Sequence, residues 1–271
     1  MCYEHGGTVD DLLVYKMGEN DFFLVINAAN IDKDWDWMQQ QAQGYDIDLQ
    51  NQSEFYGQIA VQGPNSEDVM ENVLGLPCAE LSFYTVKTIG EVIVSRTGYT
   101  GEDGFEVYAT PEYIRACWDK LIDAGVQPCG LGCRDTLRFE VGLPLYGDEL
   151  TEEISPIMAG LSMFVKLDKP EFIGREALVL QKTEGVAKKL VGIELADKAI
   201  PRHGYTVLKD GEPIGEVTTG YHTLSTDKSV CMALIDSQYA KLDTELEIQI
   251  RKKTFPGQVV KKRFYDKHYK K

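Results

Sequence analysis

Short apolar runs with period-two alternation dominate this chain, and helical periodicity interrupts them in only a few places. Thr8-Val-Asp-Asp-Leu-Leu-Val-Tyr-Lys16, Phe22-Phe-Leu-Val-Ile-Asn27, Gly57-Gln-Ile-Ala-Val-Gln62, Glu91-Val-Ile-Val-Ser-Arg96 and Phe105-Glu-Val-Tyr108 read as strands. A helix is predicted over 32–43, capped by Asn30 or Asp32, with Trp35 and Met38 on its apolar side. Further helices are predicted from Gly63-Pro64 to about Leu74, over 111–124, from Leu131 or Gly132 to Val141, and over 174–183. From Lys188 onward only short strands follow, at 190–195, 206–208, 214–218, 230–235, 245–250 and 258–261, with turns such as Lys209-Asp-Gly211 between them. Strands and helices mix without regular βαβ alternation. The predicted class is α+β: antiparallel sheets with covering helices, followed by a C-terminal small antiparallel β-barrel. The expected division is 1–150 as the α+β region, 151–186 as a connecting segment rich in Pro and Gly turns, and 187–271 as the barrel.

One hairpin is over-built. Gly98-Tyr-Thr-Gly-Glu-Asp-Gly-Phe-Glu106 joins two predicted strands with more residues than a reversal of direction needs. Gly98, Gly101 and Gly104 permit positive φ and tight turns. An exposed Tyr99 among them suggests either a loop that approaches a ligand or a plain acidic hairpin tip. A second glycine-marked segment, Gly130-Leu-Gly-Cys-Arg-Asp-Thr-Leu-Arg-Phe-Glu140, follows closely.

Composition narrows the field. The chain has 271 residues, 43% hydrophobic, enough to bury a sizeable core across two domains. No apolar run approaches the length of a membrane span, and the N-terminus carries no secretory signal, so a cytoplasmic setting is expected. The net charge of −15 argues against nucleic acid as a partner. Nine Lys or Arg against one acid lie between Arg251 and Lys271, interleaved with aromatics, which predicts a tail that is at least partly packed. Six cysteines are scattered without a CxxC, as free thiols of a reducing compartment would be. Cys129 and Cys133 share a helical face, but two sulfurs without nearby histidines do not make a zinc site, and no metal is expected. No Walker loop, Rossmann fingerprint or Ser-His-Asp motif is present, so no nucleotide is expected.

Candidate site residues emerge from position and neighbours. Strand alternation places Asp11 on one face with Leu13 and Tyr15, and Asp10 on the other. A carboxylate beside Leu13 and Tyr15 is partly desolvated, which suits a catalytic acid or base; two acids at a frayed strand start are the plainer alternative. Glu106 presents a forked acceptor to a ligand with adjacent N–H donors. Arg134, inside an apolar helix, pairs with an acid such as Asp135, Glu140 or Glu106, or else binds ligand. Asn27 ends an apolar strand as a turn-former or a ligand donor.

Taken in order, Gly6-Gly-Thr-Val-Asp-Asp-Leu-Leu-Val-Tyr15, Val25-Ile-Asn-Ala-Ala-Asn30, Val61-Gln-Gly-Pro64, Arg96-Thr-Gly-Tyr-Thr-Gly-Glu-Asp-Gly-Phe-Glu106, Gly130-Leu-Gly-Cys-Arg-Asp-Thr-Leu-Arg-Phe-Glu140, Gly142-Leu-Pro-Leu-Tyr-Gly147 and Phe172-Ile-Gly-Arg-Glu-Ala177 closely resemble the T-proteins of the glycine cleavage system, from about Cys2 to the C-terminus. The resemblance implies an aminomethyltransferase. It would take the aminomethyl group from the lipoyl arm of the H-protein and transfer the one-carbon unit to tetrahydrofolate as co-substrate. The products are 5,10-methylenetetrahydrofolate, ammonia and a reduced lipoyl arm. By the resemblance Asp11 is the catalytic aspartate, acting electrostatically. Glu106 is the pterin-binding glutamate and Arg134 a ligand-binding arginine. Asn27, Tyr99, Tyr15 and Leu13 line the pocket, and Tyr269 of the basic tail stands near a folate contact.

Two departures bear on that expectation. The family's N-terminal segment, which completes the first sheet and forms one wall of the folate pocket, is absent from this sequence. A gene fragment, a mis-set start, one part of a split protein and a reduced form all fit. Reduced stability and weak folate binding are the expectation. Thr218-Thr-Gly-Tyr-His-Thr-Leu-Ser-Thr-Asp227 also differs from the family's barrel pattern, which bears on partner docking. The competing readings are an inactive or weakly folate-binding fragment, a folate module of the dimethylglycine or sarcosine dehydrogenase type, which lacks its flavin domain here, and a non-catalytic folate-binding relative, whose Lys-Gly-Cys-x-x-Gly-Gln-Glu signature is missing.

Overall fold

The computed structural model describes residues 1–270. Contacts divide the chain into two compact units, one of Met1–Leu12 with Arg138–Tyr265, the other of Leu13–Leu137 with the segment from Asp266 onward. The expected boundaries at 150 and 187 cut the chain consecutively, whereas these units each draw on two separate stretches.

In the second unit, β1 (Leu13–Lys16) and β2 (Phe22–Val25) form an antiparallel hairpin with Leu13 opposite Val25 and Tyr15 opposite Phe23. Helix α1 (Ile31–Gln41) follows. A four-stranded antiparallel sheet then runs β3-β6-β5-β4, from β3 (Gly57–Gln62), β4 (Val86–Ile89), β5 (Val92–Ser95) and β6 (Gly104–Ala109). Alternation gives this sheet two unlike faces. Ile59, Val61, Val92, Val94, Phe105 and Val107 turn to one side and pack with Met70 of α2 (Ser66–Asn72) and Cys117 and Leu121 of α3 (Pro111–Asp123). Thr110 caps α3 by accepting from the Tyr113 amide, and Pro111 occupies the first turn. The other face carries Gln58, Ser95, Glu106 and Tyr108, with Glu106 aligned to Ser95 on one side and Ala60 on the other. The β1–β2 hairpin lays Leu13, Tyr15, Phe23 and Val25 against Ile93 and Tyr108.

In the first unit, β7 (Lys188–Leu195), β8 (Thr206–Lys209), β9 (Glu212–His222), β10 (Ser229–Asp236), β11 (Glu245–Ile250) and β12 (Lys253–Val260) close into an antiparallel barrel in the order β10-β7-β12-β11-β8-β9. Its interior is filled by Val191, Ile193, Val207, Val217, Cys231, Ile235, Ile248 and Val259. Closure removes sheet edges, which is why strands this short are stable together. Helix α4 (Leu131–Glu140) carries the chain from one unit into the other, and α5 (Arg175–Glu184) precedes the barrel.

Three expectations needed correction. The strand predicted over 8–16 begins only at Leu13. Upstream, Thr8 donates its amide to the Thr151 carbonyl and its hydroxyl to the Ile154 carbonyl. Gly7 runs so close to that segment that a β-carbon would sit 1.6 Å from the Glu152 oxygen. The backbone at 8–10 is thus committed elsewhere, with the Val9 amide on the Met1 carbonyl and the Asp10 carbonyl accepting from the Met1 amine, and cannot extend the ladder. The last strand starts at Lys253, not 258; Pro256 sits inside it, with its carbonyl still accepting from Ala196 at 3.0 Å. The strand β4 was not expected at all.

Candidate functional site

Glu106 is the centre of the polar face. It is only 6% exposed, and its hydrogen-bond partners are neutral. Gln58 Nε2 donates to Oε1 at 2.8 Å, and the Thr97 hydroxyl donates to Oε2 at 2.5 Å. Thr97 Oγ1 lies 2.6 Å from Ser95 Oγ. The Tyr15 hydroxyl donates to Ser95 at 2.9 Å and lies 3.1 Å from Thr97 and 3.3 Å from the Tyr108 hydroxyl. One network of hydroxyls therefore runs from Tyr15 to the carboxylate. Burial, and after it the Glu106 charge, raises the Tyr108 phenol well above the usual tyrosine value; burial also raises Tyr15. Both rings stay neutral donors. A carboxylate offers about four lone-pair sites. Two are taken here, leaving capacity on both oxygens for a ligand's N–H groups.

The loop beside this carboxylate is held from within. Arg96 is 5% exposed and meets Asp103 through Nε–Oδ1 at 2.9 Å and Nη2–Oδ2 at 2.7 Å. It also donates to Glu67 at 2.7 Å and to the Leu81 carbonyl at 2.8 Å. The glycines serve a different end from the one expected. Only Gly101 has positive φ, +81°. Gly98 and Gly104 instead flank the Gln62 side chain, where a β-carbon would stand 1.8 Å and 2.4 Å from its amide atoms. Gln62 bridges the loop by donating to the Thr97 and Phe105 carbonyls and accepting from Thr100.

Around the loop stand the aromatic and basic candidates. Arg134 is exposed on the first turn of α4, and its guanidinium lies 4.7 Å from the Tyr99 ring centroid. Its contact among the described residues is thus an aromatic face; of the two readings, acid pairing or ligand binding, the pairing with Asp135, Glu140 or Glu106 is not seen. Tyr99 itself is half-buried rather than exposed. The C-terminal segment packs here too: the His268 amide donates to the Gly101 carbonyl at 2.7 Å, and Tyr269 stacks on Phe83 at 4.1 Å between centroids. Burial pushes the Tyr269 phenol up to about 12. A cavity of about 820 Å³ opens on the same face as Gln58, walled by Phe23, Trp35, Met38, Tyr56 and Tyr108.

Tyr15, Leu13, Glu106, Tyr99, Arg134 and Tyr269 thus all belong to the second unit, as does Asn27, which follows β2 and precedes a short helical turn that its side chain does not cap. Asp11 belongs to the first unit, half-buried on the non-strand segment before β1. The alternation that placed it beside Leu13 and Tyr15 does not operate there, and the fully buried aspartate of the pair is Asp10.

Sequence reasoning missed Gln58, Ser95, Thr97 and Tyr108; period-two alternation around Glu106 was the signal available for Ser95 and Tyr108. It also missed the buried pair Arg138–Glu149, whose side chains are both 0% exposed and meet at 2.7 Å in the first unit. Thr218 and Thr219 each donate to Glu149 at 2.6 Å. The departure from the family pattern at those threonines therefore falls on an internal network of the barrel unit. Among the described residues no group of three or more His, Cys, Asp or Glu side chains is placed to hold a metal ion, and no helix is long and apolar enough to cross a membrane.

Comparison with known proteins places these features. Residues 1–169 match the family model described as the GCVT N-terminal domain, and residues 188–266 match the glycine cleavage T-protein C-terminal barrel domain. The aminomethyltransferase of Lysinibacillus sphaericus is 53% identical over 274 residues, which cover 98% of this chain and 75% of that protein. The aminomethyltransferase of Thermoanaerobacter pseudethanolicus is 49% identical over 280 residues, covering 100% of this chain and 76% of that one. The crystal structure of glycine cleavage system aminomethyltransferase T from Bartonella henselae superposes with a TM-score of 0.93 at 31% identity, over 100% of this chain and 76% of that one. This chain spans about three quarters of the length of these relatives. With both domain models matched in order and the helix-covered sheet and closed barrel in place, the chain belongs to the glycine cleavage T-protein family, the transferases known as aminomethyltransferases.

Proposed function

We propose that this chain transfers the one-carbon unit of an aminomethyl group, carried on the lipoyl arm of the H-protein, to tetrahydrofolate. The carbon–sulfur bond to the arm and the carbon–nitrogen bond to the departing ammonia break. Two carbon–nitrogen bonds to folate form, giving 5,10-methylenetetrahydrofolate, and the two folate N–H protons leave with the ammonia and the arm's thiol. The observation that carries this reading is Glu106: a buried carboxylate whose donors among the described residues are neutral, with open lone pairs. Such a group is electrostatically incomplete until a ligand with adjacent N–H donors meets it, and a pterin ring edge has that pattern.

In this reading Gln58 and Thr97 fix the carboxylate's orientation, so that the ring is met by a preorganised acceptor. Tyr99 and Arg134 form a flat, positively charged surface suited to the aromatic and anionic parts of folate. Tyr269, Asn27 and Leu13 contribute to the pocket wall, and Tyr15 anchors the hydroxyl network. Asp11 supplies negative charge to the amines and to the positive charge that develops on the transferring carbon. Cytoplasmic residence fits a partner that is itself a metabolic carrier protein.

Turnover with aminomethylated H-protein and tetrahydrofolate tests the assignment. Asp11→Asn is expected to lose turnover while keeping its thermal midpoint. Full turnover in that variant would remove Asp11 from the reaction.

A further inference from the structure

Residues 266–270 follow the barrel in sequence but pack with the second unit. They lie along the loop between β5 and β6. His268 forms a parallel bridge with Glu102, and its amide donates to the Gly101 carbonyl at 2.7 Å. The Tyr269 ring rests on Phe83, 4.1 Å between centroids with the planes 24° apart, and Phe83 in turn meets Tyr84 at 4.4 Å.

Charge gives this attachment a second reason. Arg96 Nη2 donates to Asp103 Oδ2 and to Glu67 Oε2, each at 2.7 Å. One guanidinium thus faces two carboxylates, and Asp103 is only 2% exposed. Lys270 Nζ stands 3.8 Å from that same Asp103 oxygen and 3.9 Å from that same Glu67 oxygen. With Lys270 in place, two cations face the two carboxylates. These last distances are too long for hydrogen bonds, so the attraction is Coulombic. Lys270 is 53% exposed, which keeps that attraction modest. Backbone, ring and charge contacts, each weak, therefore hold one short segment together, and they share the entropy cost of ordering it.

We propose that residues 266–270 form a strap that holds the 98–104 loop in its ligand-ready arrangement, with Lys270 a positioning residue that acts through Asp103. The strap meets the loop at Gly101, Glu102 and Asp103, directly after Tyr99, whose ring lies against the Arg134 guanidinium. With the strap released, the loop keeps the Arg96–Asp103 clasp, but Asp103 and Glu67 lose one of the two cations beside them. The effect of the strap on tetrahydrofolate rests on the reading of Glu106 given above. Its effect on the loop does not.

The test compares the whole chain with Lys270→Gln, Lys270→Arg and Phe83→Ala. Without ligand, hydrogen exchange is read at the His268 amide, which bonds to the loop, and at the Glu102 amide, which bonds to Thr100 Oγ1 at 3.3 Å. Lys270→Gln and Phe83→Ala are each expected to exchange about two- to fivefold faster at both amides, the size that a surface contact carries. Lys270→Arg is expected to keep the wild-type rates. Thermal midpoints are expected to stay unchanged, while the two faster variants bind tetrahydrofolate about threefold more weakly. Unchanged exchange at His268 overturns the strap. Faster exchange at His268 but not at Glu102 overturns its hold on the loop. Faster exchange at both with unchanged tetrahydrofolate affinity overturns its effect on the site, and equal losses in Lys270→Arg and Lys270→Gln overturn the charge argument. A wild-type chain that does not bind tetrahydrofolate sinks the Glu106 reading instead, and the exchange rates then decide the strap by themselves.

Discussion

Arg96 grips Asp103 through two parallel hydrogen bonds, 2.9 Å and 2.7 Å long, and so ties together the two ends of the loop between β5 and β6. Both residues are nearly excluded from solvent. Removing one partner of a buried pair leaves an uncompensated charge, which costs about 3–5 kcal/mol. Arg96→Met is expected to lower stability by that order in urea denaturation. Arg96→Met with Asp103→Leu is expected to recover part of the loss, because the more deeply buried of the two carboxylates that Arg96 meets is then gone.

Gly98 and Gly104 are tied to Gln62 by contact, not by backbone freedom. Gly104→Ala is expected to cost about 1–3 kcal/mol through overpacking. Adding Gln62→Ala relieves the clash, so the double variant is expected to be more stable than Gly104→Ala alone. Thermal unfolding of Gly104→Ala, Gln62→Ala and the double variant measures this coupling.

The Tyr108 phenol predicts a sign for stability against pH. Its folded value is raised by burial and by Glu106. Below pH 10 the ring is protonated in both states and its contribution is complete. Above about pH 10 the unfolded chain releases the proton and the folded chain keeps it, so stability falls by about 1.4 kcal/mol per pH unit from this group. Tyr108→Phe is expected to flatten the alkaline limb of a Tm-against-pH curve relative to the wild type. An unchanged limb would contradict the burial argument.

Arg134 stands over Tyr99 from an exposed position. Such contacts contribute about 0.5–1 kcal/mol. Arg134→Ala is expected to leave the unfolding midpoint nearly unchanged yet to weaken tetrahydrofolate binding about tenfold or more, which is about 1.4 kcal/mol or more. A comparable loss of affinity and of stability would make Arg134 a structural residue.

Much of the fold was legible because alternation and turn residues agree locally. The runs at 57–62 and 245–250 became strands with those limits, and the short strands after Lys188 closed into a barrel. What escaped was set by distant partners. Thr8-Val-Asp10 has a strand's composition, but the Thr8 donors go to Thr151 and Ile154, far along the chain, and the Val9 amide to Met1. Gly98 and Gly104 read as residues of tight turns with positive φ, because nothing local reveals that Gln62 lies between them. In the site, Glu106 was visible as a motif residue, while its holder Gln58 comes from a separate strand and Thr97, although in the same run, carries no local mark of its bond to the carboxylate. Arg138, in the same helix as Arg134, is the fully buried arginine, and only the fold reveals its partner Glu149.

The central claim is that Glu106 receives the pterin of tetrahydrofolate. Calorimetric titration of tetrahydrofolate into the wild-type chain and into Glu106→Gln, at matched thermal midpoints, tests it most directly. A binding isotherm in the wild type that is lost or weakened at least tenfold in Glu106→Gln is the predicted result. Equal affinity in the two proteins would contradict the account.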